Sequence, residues 1–211
     1  MERRTIEARV SVVAPRRLKG YAVKYDSRSS HYIAPATRER ISNTAFARSL
    51  GSGTDVRFLY EHKAENLLGR TSSGTLSLRS DDDGLGFDLQ LPDTQLGRDV
   101  FELTKRGDIR GMSFGFVCRE DSFGKEFDED EFGDPTEDNC IVRTVRSADL
   151  IEVSAVSEPA YESSSVLARH FVADNIEARA KAFALANLNP REIDARNRIR
   201  AQYLAGLTHK L

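Results

Sequence analysis

The sequence lacks the features that mark secreted, membrane-spanning and nucleic-acid-binding proteins. Only two of its 211 residues are cysteines, which is too few for a disulfide framework, and their spacing does not suit a metal site. No apolar run approaches the roughly 18 residues that a membrane span requires, and no apolar signal segment opens the chain. The net charge of -2 provides no general attraction to nucleic acid or to an anionic membrane. We therefore expect a reduced, cytosolic protein with neither as a partner.

Histidine is also scarce, which restricts the choice of a general base. The four histidines are His31, His62, His170 and His209. His31 lies in a polar loop, His170 in a predicted helical segment, and His209 near the chain end, where fraying is expected. His62 alone closes a predicted strand, so a rigid element would hold its ring. The pattern favours His62 as a base, although a structural or surface histidine would produce the same pattern.

The first two-thirds of the chain has the pattern of a β-rich protein. At 39% hydrophobic and 30% charged residues, the composition is that of an ordinary soluble domain. Alternating apolar residues and turn signals predict seven or eight short strands, which favours a barrel or a sandwich. The predicted strands are 5–13, 18–25, 55–60, 75–79, 85–91, 109–119, 140–146 and 150–156.

Two helices are expected between these strands. Ser42 or Asn43 can cap a short helix that ends at Gly51, and Asp93 can cap a longer one that ends before Gly107. Each prediction combines a polar capping residue with a glycine just past the last turn.

The pattern becomes helical after Pro159. Asp174 can cap one helix, and Asn189-Pro190 can begin another. We therefore divide the chain into a β-rich body, 1–170, and a helical C-terminal extension, 171–211. Packing against the body, dimerisation and docking to a partner all remain open for this extension.

The segment between Glu120 and Asp138 is strongly acidic. It contains ten acidic residues and one lysine, Lys125. Such charge runs are usually solvated, so we interpret it as a loop joining two strands. A calcium loop is the alternative, but the segment lacks the ligand spacing of an EF-hand.

The predicted strand around Ser113 has one face made of small residues. Alternation puts Gly111, Ser113 and Gly115 together, with Met112 and Phe114 on the opposite face. The apolar face would anchor the strand in a core, and the small face would let another backbone approach the serine closely. Glycines that only relieve crowding would give the same pattern.

A serine nucleophile needs a base to remove its proton and an acid to orient that base. Glu152 is an acidic residue inside an apolar predicted strand, and a carboxylate buried there would need a partner such as His62. Asp149 and Glu158 compete for this role. Glu152 could also face solvent, because it shares a strand face with Ser154.

Four ordered blocks resemble the prohead proteases of the HK97 type that tailed phages use to mature their capsids. The blocks are 59–62 with 67–70, 83–85, 109–116, and 150–156 followed by 159–161. Together they span about residues 18–168. The resemblance implies a β-rich α+β fold like that of the herpesvirus assembly proteases. We therefore expect a closed β-barrel of about seven strands ringed by helices, with the helical extension at its C-terminus.

The resemblance also implies a serine endopeptidase that acts inside the immature capsid in the host bacterial cytoplasm. Its substrates would be the scaffolding portion of the major capsid protein and the enzyme itself. Ser113 would be the nucleophile, His62 the base and Glu152 the orienting acid, with no metal or cofactor. A homo-oligomer is compatible with this role. Candidate oxyanion or substrate contacts are Gly69, Arg70, Gly111 and Gly115.

Two other functions compete with this interpretation. One is a non-enzymatic capsid-assembly or scaffold-binding factor that keeps a protease-like fold. The other is a cysteine hydrolase using Cys118. That residue shares the apolar strand face with Phe114, where a buried and unreactive thiol is expected.

Overall fold

The computed structural model describes residues 1–7, 10–29, 32–34, 36–129, 135–157 and 166–187. His31, Glu158, the segment 159–161 and the helix expected from Asn189 lie outside these ranges. The elements in chain order are β1 (Glu2–Glu7), β2 (Ser11–Ala14), β3 (Arg17–Lys24), β4 (Thr37–Ile41), α1 (Ala47–Gly51), β5 (Arg57–Tyr60), β6 (Lys63–Arg70), β7 (Leu76–Ser80), β8 (Gly84–Gln90), α2 (Gln95–Arg106), β9 (Gly111–Glu129), β10 (Pro135–Val156) and α3 (Val166–Ala186).

The strands form two open sheets, so the predicted closed barrel of about seven strands ringed by helices is wrong. One sheet has the order β1-β9-β10-β5-β6, with β4 also pairing with β10, and the other has the order β2-β3-β8-β7. Over the described residues, neither sheet closes on itself. Local alternation identifies strands, but closure depends on the tilt and stagger between distant strands.

β9 and β10 form a long antiparallel hairpin that is the centre of the larger sheet. The acidic segment that we interpreted as a loop belongs largely to these strands, since β9 continues to Glu129 and β10 begins at Pro135. Arg40 holds one of its carboxylates there, since it binds Glu126 through two hydrogen bonds of 2.8 Å. The separately predicted strands 140–146 and 150–156 are one strand, interrupted by register shifts.

A hydrophobic core joins the two sheets. Met112, Phe114 and Phe116 of β9 are buried, in agreement with the predicted apolar strand face. The ring of Phe114 meets Phe46 edge-to-face, with 6.0 Å between the ring centroids. The same cluster includes Phe87 of the smaller sheet. This burial leaves the opposite face of β9 for the small residues around Ser113.

The helix caps differ from those predicted. α1 has no side-chain cap, and neither Ser42 nor Asn43 caps it. α2 is capped by Thr94 rather than Asp93, since the Thr94 hydroxyl accepts a hydrogen bond from the backbone of Gly97. Asp93 instead forms ion pairs with arginine side chains. α2 ends as expected, at a left-handed Gly107 with a φ of 85°.

α3 is a single helix that spans the proposed boundary between residues 170 and 171. Asp174 lies inside this helix rather than before its first turn. Arg179 binds Asp121 of β9, and the rings of Phe183 and Phe123 lie 6.4 Å apart, so α3 packs against the hairpin. Within the described ranges, none of the helices has the length and apolar character needed to cross a membrane.

A buried ionic network connects β1, β4, β9 and β10. Arg143, only 2% exposed, contacts Glu39 at 2.8 Å, Asp121 at 2.7 Å and Glu2 at 2.5 Å. Burial, the largest single effect, would raise the pKa of Glu2, but the hydrogen bonds and positive charges of Arg143 and Arg4 together outweigh it and lower that pKa. Arg143 therefore binds carboxylates from three other strands, and Arg4 and Arg179 add positive charge to the same network.

We expect Arg143→Met to lower the free energy of unfolding by about 3–5 kcal/mol, because it removes the buried cation shared by Glu2, Glu39 and Asp121 and leaves them only the more exposed Arg4 and Arg179 as described partners. Urea unfolding followed by circular dichroism measures the change. Arg106→Met is the matched control, since Arg106 is 70% exposed in its pair with Asp108 and should contribute little. Equal effects of the two substitutions would contradict the stabilising role of the network.

The same network predicts a dependence of stability on pH. The folded state lowers the pKa values of Glu2 and Asp121. Their stabilisation is therefore present above the unfolded pKa values and is lost as the pH falls through the folded ones, below about pH 4. Wild type should lose more stability on acidification than Arg143→Met. Urea unfolding at pH 7 and at pH 3 measures the free energy of unfolding of both proteins. An equal decrease in wild type and in Arg143→Met would contradict this expectation.

Candidate active site

The register of β9 and β10 brings the small face of one strand beside a polar face of the other. Ser113 lies opposite Ser154, and Gly115 lies opposite Glu152. Residues two apart on a strand share a face, so these four side-chain positions point to the same side of the sheet. Ser113, Glu152 and Ser154 are fully buried.

His62 lies in the tight turn between β5 and β6, just beyond the strand end that the sequence predicts. The turn residues Glu61 and His62 have φ angles of 55° and 56°, as in a type I′ hairpin. Such angles cost about 1–3 kcal/mol each for residues other than glycine, and persist only when other contacts hold them. Here the Glu61 amide donates to the carbonyl oxygen of Ala155 at 3.0 Å. The Glu61 carboxylate accepts from the Ser157 amide at 2.7 Å.

The structure brings His62 and Glu152 into direct contact. Nδ1 of His62 lies 2.7 Å from Oε1 of Glu152, and Ser154 donates a hydrogen bond of 2.6 Å to Oε2. Arg3 adds a cation 3.8 Å from Oε1. The buried carboxylate thus has a partner on each oxygen, and Nε2 of His62 is left as the nitrogen that can accept a proton.

Gly115 makes room for this carboxylate. A Cβ atom at this position would lie 2.6 Å from Oε1 of Glu152 and 3.1 Å from Sδ of Met1. The sequence pattern predicts an open groove floor at Gly111 and Gly115, and at Gly115 the space is filled by the glutamate. A side chain here would push Glu152 away from His62.

Ser113 lies on the same face, but its hydroxyl is bonded to β1. Its Oγ donates to the carbonyl oxygen of Arg4 at 2.7 Å and accepts from the Thr5 hydroxyl at 3.0 Å. Within the described part of the chain, no hydrogen bond joins Ser113 to His62. The structure therefore shows the acid and the base in contact, with the serine on an adjacent strand.

Gly69 and Arg70 lie elsewhere in the sheet. They belong to β6, which β5 and β10 separate from β9. Three strand spacings correspond to about 14 Å, whereas an oxyanion donor must approach to about 3 Å. Hydrogen bonds from Arg70 hold the pKa of Asp55 well below its usual range. The structure does not bring this pair to Ser113.

The competing side chains are engaged in other interactions. Asp149 accepts a 2.6 Å hydrogen bond from Arg119, so its carboxylate is committed to a surface arginine. Burial raises the pKa of the Cys118 thiol to about 11, which keeps it protonated and unreactive near neutral pH. Among the described residues, no group of three or more His, Cys, Asp or Glu side chains is arranged to hold a metal ion.

Sequence reasoning missed three residues of this site: Arg3, Thr5 and Ser154. Ser154 had a usable signal, because it lies two residues after Glu152 on a predicted strand and so shares its face. Arg3 and Thr5 also alternate along one strand face, but the sequence does not indicate which strand β1 pairs with. That pairing depends on contacts more than 100 residues apart in the chain.

Comparison with known proteins supports the resemblance drawn from the sequence. A family model described as caudovirus prohead serine protease matches residues 4–179, a range that includes His62, Ser113 and Glu152. Neither the curated proteins nor the solved structures contain a significant match. Because the family match covers most of the 211 residues, the chain belongs to the caudovirus prohead serine proteases.

Proposed function

We propose that this protein cleaves the scaffolding portion of the phage major capsid protein by acyl transfer through Ser113. His62 is the general base and Glu152 the acid that orients it. The observation that carries the proposal is the 2.7 Å contact between His62 Nδ1 and Glu152, on the buried face that also holds Ser113. A second copy of the enzyme is a further substrate, and the reaction takes place inside the prohead.

In the proposed reaction, Oγ of Ser113 attacks the carbonyl carbon of the substrate while Nε2 of His62 takes the hydroxyl proton. The tetrahedral intermediate then breaks its C–N bond, and His62 returns the proton to the departing amine. Water, deprotonated by His62, attacks the resulting ester and breaks its bond to Oγ, which releases the new carboxyl end. His62 passes the proton from water to Oγ and so restores the hydroxyl of Ser113. We assign no oxyanion role to Gly69 and Arg70, because β6 lies three strands from β9.

Glu152 orients the base and stabilises its charged form. A carboxylate at Nδ1 keeps a proton on that nitrogen, so the lone pair of the neutral ring is on Nε2. When His62 accepts the serine proton, the imidazolium forms beside a fully buried anion, where charges attract more strongly than in water. Ser154 acts as a positioning residue, because its hydrogen bond holds Oε2 and directs Oε1 toward His62.

We expect Ser113→Ala to abolish cleavage of a capsid protein that carries its scaffolding portion, because it removes the proposed nucleophile. Co-expression of the two proteins, followed by mass spectrometry of the capsid protein, measures the cleavage. Ser154→Ala is the discriminating control, since Ser154 lies opposite Ser113 in the register and on the same face. It should retain cleavage at a reduced rate.

Equal cleavage by wild type and Ser113→Ala would overturn the assignment. Loss of cleavage in Ser154→Ala, with full cleavage in Ser113→Ala, would instead identify Ser154 as the nucleophile. If no variant and no wild-type protein cleaves any capsid protein, but the protein binds the scaffolding portion, the assembly-factor alternative is favoured.

We expect Glu152→Gln to slow cleavage by about 10³–10⁴-fold, because the amide no longer favours the reactive tautomer of His62. Time courses of cleavage in the co-expression system measure the loss. Asp149→Asn provides the matched control, as it makes the same kind of change on β10 in a carboxylate that binds Arg119. A larger loss in Asp149→Asn than in Glu152→Gln would assign the orienting role to Asp149.

A further inference from the structure

β1 covers the edge of β9 on which Ser113 lies. The two strands pair antiparallel from Glu2 opposite Phe116 to Glu7 opposite Gly111, with Thr5 directly opposite Ser113. β10 takes the other edge of β9. Over this stretch β9 therefore has a partner on both sides. An extended substrate cannot add a strand beside Ser113 while β1 is in place.

β1 directly contacts the residues of the candidate site. Besides the two bonds of Arg4 and Thr5 to Ser113, the Arg3 guanidinium lies 3.8 Å from the Glu152 carboxylate. Sδ of Met1 lies 3.1 Å from the Cβ position of Gly115. β1 and the preceding Met1 therefore contact Ser113, Glu152 and Gly115.

The hydrogen bonds of Ser113 are those of an inactive arrangement of the site. Attack requires the hydroxyl proton to pass to His62 and the carbonyl carbon to face Oγ. Here the proton is directed at the carbonyl oxygen of Arg4, at 2.7 Å. The peptide bond of β1 is bound beside the nucleophile but is not activated for cleavage.

We propose that β1 is an internal inhibitor that occupies the substrate-strand position, and that the β9 edge Gly111–Phe116 binds an extended substrate peptide when β1 leaves. This inference rests on the proposed function, since it describes the regulation of the same site. Peptides commonly bind by adding a strand to a sheet edge, with backbone hydrogen bonds that need little sequence specificity.

The opposite face of β1 holds the strand in place. Glu2 binds the buried Arg143, and Nε of Arg4 lies 2.5 Å from Oε1 of Glu39. A tethered strand also competes at an effective concentration in the millimolar range. Displacement therefore needs a substrate at a comparable local concentration. Confinement with many capsid proteins inside a prohead supplies this concentration, so the resting site opens where its substrate is concentrated.

The test compares the full chain with a variant that lacks residues 1–7. A fluorophosphonate probe labels nucleophilic serines, and mass spectrometry locates the label. We expect labelling of Ser113 to be about tenfold or more faster in the shortened protein, since reactivity follows the fraction of open sites. Adding a peptide with the sequence of residues 1–7 should slow it again. The same peptide with Thr5→Pro should not, because proline breaks the strand pairing.

A point substitution in the full chain tests the same inference without deleting residues 1–7. Glu2→Gln removes the charge that holds β1 to Arg143 and should speed labelling by about tenfold in the full chain. Glu102→Gln makes the same change on the exposed face of α2 and should leave the rate unchanged. Unchanged or slower labelling in the shortened protein, with circular dichroism confirming its fold, overturns the inference. If the shortened protein does not fold, equal rates for Glu2→Gln and Glu102→Gln overturn it.

Two further measurements separate failure of this inference from failure of the proposed function. Labelling that persists in Ser113→Ala shows that Ser113 is not the nucleophile. Binding of the fluorescent residue 1–7 peptide to the shortened protein, followed by fluorescence anisotropy, requires no catalysis and tests the β9 edge directly. If the peptide does not bind to a folded shortened protein, the proposal that the β9 edge binds an extended strand is contradicted, even where Ser113 is labelled.

Discussion

The buried carboxylate of Glu152 is the constraint on which the rest of the site depends. A fully buried anion must be hydrogen-bonded or paired, because an unpaired charge in the interior is very costly. The hydroxyl of Ser154 and the imidazole of His62 bind this carboxylate, Arg3 adds a positive charge, and Gly115 leaves the space that it occupies. Each lies on a different element or position, so the carboxylate connects parts of the fold that are far apart in sequence.

The two faces of the β9–β10 hairpin carry different kinds of residue, one face packing into the core and the other holding the candidate site. On one face, Phe114 and its aromatic neighbours pack into the core that joins both sheets. On the other face lie Ser113 and Glu152, and Glu152 contacts His62 of the turn between β5 and β6. Alternation along the strands means that the same residues that anchor the hairpin also determine which side chains reach the site. Rigid packing on the core face supports precise placement on the site face.

The candidate residues Ser113 and Glu152 could be selected from the sequence because their signals are local. Ser113 is flanked by glycines two residues away on either side, and Glu152 sits in an apolar strand, so each is visible in a few residues. The fold was harder to predict. A strand can be recognised from a few neighbouring residues, whereas closure of a sheet depends on pairing between strands that are far apart in the sequence. The same limit explains the error at the acidic segment. Its charges predict a solvated loop until a partner such as Arg40, 86 residues away, is known.

The sequence by itself determined the residue types available for chemistry, the separation of Ser113 from the apolar face of its strand, and the family. These follow from composition, period and motif order, none of which requires a partner. Only the tertiary structure decided that the Glu61–His62 turn reaches Glu152, that Gly69 lies three strands away, and that β1 covers Ser113. Those outcomes depend on which strands pair and in what register, and many registers suit the same alternating pattern. The choice among them comes from burial and ion pairs formed across the whole fold.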